Sequence, residues 1–194
     1  MKTIKSLDFF SNLSPSEHSY LESLLTFKEV SKNQIIISKG DLCKKLFFLH
    51  KGIMSSNYSI KGKDFVRDFY FKNQIFTAQE SFYKQQPARF SIKSLTKASL
   101  QEISFENLEL AFKEIPSLRK EAYDLLMNGF INISNRLEFM LTLKPEERYK
   151  KLLNESPGIF NLINLKVIAS YLGITDVALS RIRKRIASPK KNIS

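Results

Sequence analysis

The apolar residues change their period once along this chain, and that change limits the folds open to it. From Phe27 to about Phe105 they fall in short runs, QIIIS, KLFFLHKG, DFVRDFYF, RFSIKSL and SLQEISF, broken at Gly40-Asp41, Lys51-Gly52 and Lys61-Gly62-Lys63. Short runs rich in Ile, Leu and Phe and bounded by turn residues mark strands, and several in succession imply an antiparallel sandwich or barrel. An antiparallel β-roll (a double-stranded β-helix) is expected there. Before it, Ser14-Pro15-Ser16-Glu17 supplies a helix cap with an N-terminal proline, and Leu21, Leu24 and Leu25 form a stripe, so residues 4 to 30 read as a cap of short helices. From Asn107 onward the apolar residues recur at helical spacing. The fold class expected is therefore α+β.

The stretch from about Ile115 to Leu143 holds Leu118, Tyr123, Leu125, Leu126, Phe130, Ile131, Ile133, Leu137, Phe139 and Met140. One helix of that length has too broad an apolar stripe for a solvated monomer. Either the roll covers the stripe, or a second copy pairs with it as a coiled-coil-like homodimer. Pro145 restarts the chain in PEERYKKLL, and Ser156-Pro157-Gly158 ends that helix, placing a hinge near Thr142 to Pro145. Three parts are expected: a roll over 1–114, a long dimerisation helix over 115–143 and a C-terminal helical domain over 144–194.

Within the last part, LKVIASYLGITDVALSRIRKRI (165–186) reads as a helix, a tight glycine turn and a second, basic helix. Val167, Ile168, Tyr171 and Leu172 recur on one face, Gly173 closes the first helix, and Thr175 can cap the second. Ala178, Leu179 and Ile182 would pack inward, leaving Ser180, Arg181, Lys184 and Arg185 on the polar face. An ordinary amphipathic hairpin with a solvated edge shares this pattern. Charge separates the two readings: residues 161–194 hold seven Lys or Arg against one acid, half of the net charge of +12. Such concentration is the footprint of nucleic-acid binding.

Bulk properties narrow the rest. A chain of 194 residues with 43% hydrophobic content and 16 Phe is too apolar to be largely disordered. No apolar run is long enough to cross a bilayer, and MKTIKSLDFF lacks the apolar core of a secretion signal, so a cytoplasmic protein without membrane attachment is expected. Cys43 is alone, which excludes an internal disulfide and any cluster needing several thiolates from this chain. With His18 and His50 far apart and no nucleophile or metal motif, neither catalysis, nor a metal, nor a cofactor is expected. Cys43 lies between Leu42 and Lys44-Lys45 in a turn. It is either a redox-responsive thiol or a turn residue packed beneath the roll.

The string IASYLGIT followed by LSRIRK resembles the C-terminal helix-turn-helix of Crp/Fnr-type transcription regulators, in particular a short-tailed branch common in Bacteroidetes. SKGDLCKKLFFLHKGIM is similar to the turn-strand-glycine pattern of the family's cyclic nucleotide-binding-like roll, and EERYKKLL to the helix leading into its DNA-binding domain. The resemblance implies a homodimer, double-stranded DNA as partner, RNA polymerase as a further partner, and a small-molecule effector of unidentified kind. The family cradles a cyclic phosphate with a Gly-Glu pair, a short helix and an arginine. Here Phe76 to Ser91 contains no glycine, Ala88 stands where that arginine would be, and Arg89 is shifted by one, to the opposite face of a strand. Glu80 and Arg89 remain candidates for an anionic ligand if the loop is bulged; otherwise the roll is ligand-free, with Phe82, Tyr83 and Phe90 in its core.

On the DNA side, Asp176 and Val177 stand where family members often carry Arg and Glu, while Arg181 matches the arginine used for guanine. Ser180 is a candidate for a base or a phosphate, Thr175 caps the recognition helix, and Lys166, Arg183, Lys184 and Arg185 are candidates for phosphate. The short connection from Ser156 to Leu165 leaves little room for a β-hairpin before the motif. A sequence-specific regulator with a degenerate effector pocket is expected. Its rival is a signalling or scaffold dimer of roll and long helix with only nonspecific nucleic-acid binding: Asp176-Val177 favours the rival, Gly173, Thr175 and Arg181 the regulator.

Overall fold

A computed structural model describes Phe10 and residues 12–187. The part of the expected helical cap over residues 4–9, and the basic tail beyond residue 187, lie outside the described residues. Among the described residues the cap holds one α-helix, α1 (Pro15–Ser23), and the chain turns to strand at Thr26, one residue before the expected Phe27. Its start is fixed by a reciprocal bond: the Glu17 amide donates to Ser14 Oγ at 3.3 Å while Glu17 Oε2 accepts from the Ser14 amide at 2.7 Å.

The roll is two four-stranded antiparallel sheets. One has the order β1 (Thr26–Val30), β8 (Ala98–Ser104), β3 (Lys45–Lys51), β6 (Ile75–Phe76); the other has β2 (Ile35–Ile37), β7 (Ser91–Ser94), β4 (Met54–Ile60), β5 (Lys63–Tyr70). Alternation along the strands points Val30, Phe47, Leu49, Met54, Ile92 and Leu100 into the space between the sheets, where all are buried. The Phe76 ring stacks on Phe47 at 5.3 Å and on Tyr70 at 4.7 Å. Gly52, at φ +96°, turns β3 into β4 so close to Ala98 that a Cβ there would lie 2.6 Å from the Ala98 Cβ. Only glycine fits that crossing without displacing backbone. On the outer face of the first sheet, Phe48 and Ile103 pack against Leu21 of α1 and against Ala111 of α3 (Phe105–Glu114).

The long helix α4 (Leu118–Thr142) starts three residues later than the periodicity suggested. Ile115 still bonds back to Ala111 at 2.8 Å as the end of α3, and Pro116, which disfavours helical backbone at the residue before it, forces the break. Of α4 only Leu118 and Phe139 are buried. The roll therefore does not cover its stripe: Tyr123, Leu126, Phe130, Ile131, Ile133, Leu137 and Leu141 are all exposed. After Thr142 the described residues are helices and turns: α5 (Pro145–Glu155), α6 (Ile159–Leu162), α7 (Leu165–Leu172) and α8 (Asp176–Ala187). The joint between α4 and α5 is tied rather than loose. The buried Arg148 of α5 donates to the carbonyls of Met140 at 3.2 Å and Leu143 at 3.0 Å, the orphan acceptors at the end of α4.

Candidate nucleic-acid interface and effector cavity

Helix α7 opens on Asn164, whose Oδ1 accepts from the Lys166 amide at 2.8 Å, and buries Ile168, Ala169 and Leu172. Gly173 ends it in the left-handed region at φ +67°, with the Cε of Met140 only 2.6 Å from where a Cβ would stand. The turn then delivers Thr175, whose Oγ1 accepts from the Ala178 amide at 3.1 Å and so caps α8 as expected. Leu179 and Ile182 hold α8 against α7, while Ala178 is only half-buried. This anchoring decides which side chains face water. Val177, Ser180, Arg181 and Lys184, spaced at three, four and seven, form one exposed face opposite the buried pair. Among the described residues, Lys166, Arg181, Arg183 and Lys184 are exposed and make no ion pair. Thr175 and Asp176 are exposed too, at the helix N-terminus, where the Asp176 carboxylate accepts from the Val177 amide at 3.1 Å.

Arg185 sits differently. Its guanidinium pairs with Glu146 of α5, which also binds Lys150 at 2.9 Å. The Lys150 hydrogen bond, followed by Arg185, holds the Glu146 carboxyl below its usual range. Arg185 thus fastens α8 to α5, and a phosphate would have to compete for it.

Helix α7 is docked on β5, the edge strand of the second sheet. Ser170 Oγ accepts from the Val66 amide at 2.9 Å and donates to the Asp64 carbonyl at 3.2 Å, replacing bonds that a further strand would make. Beside it the Tyr171 ring stacks on Phe69 at 4.5 Å. At Arg67 the strand carries a bulge: Ser56 pairs with Asp68 and Asn57 with Val66, leaving Arg67 without a partner on β4. Its carbonyl accepts from Arg136 Nε of α4 at 3.3 Å. The same Arg136 donates through Nη2 to the Tyr171 carbonyl at 2.5 Å and lies 3.9 Å over the Tyr171 ring. One guanidinium from α4 therefore bridges roll and helix-turn-helix.

Burial pushes the neighbouring Asp68 carboxyl above its ordinary range, and the Phe69 amide, Arg136 and Arg67 only partly oppose it. Such a group weakens the fold as pH rises through the unfolded value, because the unfolded chain releases its proton more readily. Asp68→Asn is expected to raise the thermal midpoint at pH 7 by about 2–4 °C. The gain should shrink as pH falls below about 4. Calorimetric scans at both pH values check this; a lower midpoint at pH 7 would mean that the two arginines outweigh desolvation.

The bulge also turns the Arg67 side chain into a cavity of about 190 Å³. Arg67 lies 4.6 Å over the Phe90 ring and reaches Gln79 Oε1 at 3.4 Å. Glu80 and Arg89 line the same space and approach to 3.6 Å, with Lys84 at 3.3 Å from Glu80. Glu80 lies on α2 (Gln79–Lys84) and Arg89 in the segment between α2 and β7. Ala88 is buried in the core and the Arg89 side chain is 76% exposed, the opposite orientations that a one-residue shift implies. Ile133 of α4 forms the far wall. Phe82 and Phe90 are buried, but Tyr83 is 81% exposed: it lies on the outer face of α2, not in the core. Cys43 is fully buried, its amide on Ser81 Oγ at 2.9 Å and its Sγ 3.2 Å from Thr77 Oγ1. The packed reading of this thiol holds, and the redox-responsive turn does not.

Arg67, Arg136 and Ser170 were not legible as joint residues in the sequence. DFVRDFYF reads as an uninterrupted strand, and nothing in it announces the extra residue. The one usable signal was that Arg136 is the only Lys or Arg between Lys120 and Lys144.

Comparison with known proteins places this geometry. Residues 27–114 match the family model of the cyclic nucleotide-binding domain. FixK2 from Bradyrhizobium japonicum superposes with a TM-score of 0.72 at 14% identity, over 84% of this chain and 85% of its own. The c-di-GMP-responsive global regulator CLP of Xanthomonas campestris gives 0.72 at 12% identity, over 90% of this chain and 92% of its own. The catabolite activator protein of Thermus thermophilus gives 0.57 at 18% identity, over 93% and 86%. No curated protein matches the chain by sequence. The roll, long helix and C-terminal helices together have the same fold as these three proteins.

Proposed function

We propose that this chain is a homodimeric, sequence-specific DNA-binding transcription regulator of Crp/Fnr type with a degenerate effector pocket. The observation that carries the reading is the exposed cationic face of α8. Arg181 and Lys184 stand beside Val177 and Ser180 on a helix held by the Gly173 turn and the Thr175 cap, with no acidic side chain paired to either cation among the described residues. Arg181 is assigned to a guanine through its O6 and N7, Ser180 to a base edge or a phosphate, and Lys166, Arg183 and Lys184 to phosphates. Asp176 and Val177 replace the family's base readers and shift the burden of specificity to Arg181. The role is one of binding and not of catalysis. No helix of the described residues is long and apolar enough to cross a membrane, and a cytoplasmic location follows from the proposed role. Sequencing of genomic DNA fragments retained by the purified protein tests the reading: a recurring pseudo-palindrome supports it, and retention without sequence preference favours the scaffold rival.

Three features of the cavity support the reading of a degenerate effector pocket. Ala88 points into the core, Arg89 lies 3.6 Å from Glu80, and Arg67 enters the cavity from β5. Without a fixed arginine and a glycine-lined cradle, a cyclic phosphate loses its charge-assisted bonds. Titration calorimetry with cyclic AMP is expected to show no binding at micromolar concentration. Tight binding would mean that Arg67 and Arg89 reorganise around the phosphate.

A further inference from the structure

We infer that the Arg67 bulge is a latch that fixes the helix-turn-helix on the roll in the orientation needed to read two half-sites at once; the inference rests on the DNA-reading function proposed above. Three neighbouring backbone groups of β5 are taken up by the C-terminal part of the chain. The Asp64 carbonyl and the Val66 amide go to Ser170, and the Arg67 carbonyl goes to Arg136. Arg136 closes the joint by holding the Tyr171 carbonyl, and Phe69, Tyr171 and Phe139 pack around it, with Tyr171 to Phe139 at 6.1 Å. A bulge removes Arg67 from pairing with β4, so its carbonyl is available to α4 without breaking the ladder.

Docking uses α7 and leaves the face of α8 that carries Arg181 and Lys184 exposed. The latched arrangement is thus compatible with DNA. In a dimer the two recognition helices must meet half-sites at a fixed separation, and a rigid joint converts the second contact into a high-effective-concentration event. A swinging domain would bind one half-site as well but gain little from two. The latch therefore contributes to the pairing of half-sites and not to the contact within either.

Ser170→Ala removes the acceptor of the Val66 amide, and Arg136→Lys replaces the planar fork, whose Nε and Nη2 reach two carbonyls at once, with a single ammonium nitrogen; neither residue lies on the exposed face of α8. Hydrogen exchange at the Val66 amide should quicken about tenfold or more in Ser170→Ala. With a duplex selected from random sequence by the unmutated protein, both variants should bind the full site about tenfold more weakly, and a duplex cut to one half-site within about twofold of the unmutated protein. Unchanged exchange at Val66, unchanged full-site binding, or an equal loss on full and half sites would each overturn the latch. If the unmutated protein selects no sequence, the DNA reading itself has failed and the orientation role falls with it, an outcome separate from the other three.

Discussion

Phe130→Glu is expected to turn the protein into a monomer that is still folded. On α4, Tyr123, Leu126, Phe130, Ile133 and Leu137 follow one another at intervals of three and four, the seam spacing of a paired helix, and Phe130 at its centre is 64% exposed in the single chain. An exposed position accepts a charge at little cost to the isolated chain. In a two-fold dimer, the same change buries two facing carboxylates without partners. The dimer should weaken by about a hundredfold or more, which corresponds to about 3 kcal/mol. Sedimentation equilibrium at micromolar concentration should find a dimer for the unmutated chain and a monomer for Phe130→Glu, with the same far-ultraviolet circular dichroism. An unmutated chain that sediments as a monomer would rule out the dimer, and a dimer unaffected by Phe130→Glu would move the interface off this stripe.

Arg181→Ala and Lys184→Ala are expected to separate two components of DNA binding that one helix face carries side by side. A bidentate arginine on guanine contributes about 1–3 kcal/mol of discrimination. Arg181→Ala should therefore relax preference at one base pair in each half-site by about five- to a hundred-and-fiftyfold while leaving binding to unrelated DNA nearly unchanged. Lys184→Ala should instead weaken all sequences by a similar factor. It should also lower the slope of log affinity against log salt by about 0.9 for each phosphate that the lysine neutralises. Binding isotherms on matched and mismatched duplexes at several salt concentrations distinguish the two. An equal loss on specific and random DNA after Arg181→Ala would assign that arginine to the backbone and remove the main base reader.

The sequence exposed whatever local chemistry decides. Turn glycines and short apolar runs fixed the roll, Ser14-Pro15 the first cap, and Gly173 with Thr175 the hinge of the recognition motif, because each depends on a few adjacent residues. Pro116 was equally visible, and its effect on Ile115 sets the start of α4 at Leu118 instead of three residues earlier. What remained hidden depends on where distant segments meet. Arg185 reads as one more cation on a basic helix until Glu146, 39 residues earlier, is seen against it. Tyr83 shares its apolar character with Phe82, and only the orientation of α2 puts one outside and the other inside. The pairing of Glu80 with Arg89 was legible only as a condition on the loop's geometry, which the 3.6 Å approach meets. Arg136 acts on the backbone carbonyls of Arg67 and Tyr171, a use of arginine that leaves no partner side chain for a pattern to detect.

A helix face that reads sequence does more than attract phosphate, and α8 can be tested for that difference directly. The test is competition between the pseudo-palindrome recovered from bound fragments and a scrambled duplex of the same length and composition, at physiological salt. Sequence reading by Arg181 in a two-fold dimer requires two half-sites about 10 base pairs apart and a specific affinity at least about a thousandfold above that for scrambled DNA. A ratio near one, with both affinities falling together as salt rises, would contradict sequence reading and leave the basic helices as a nonspecific anchor on a roll dimer.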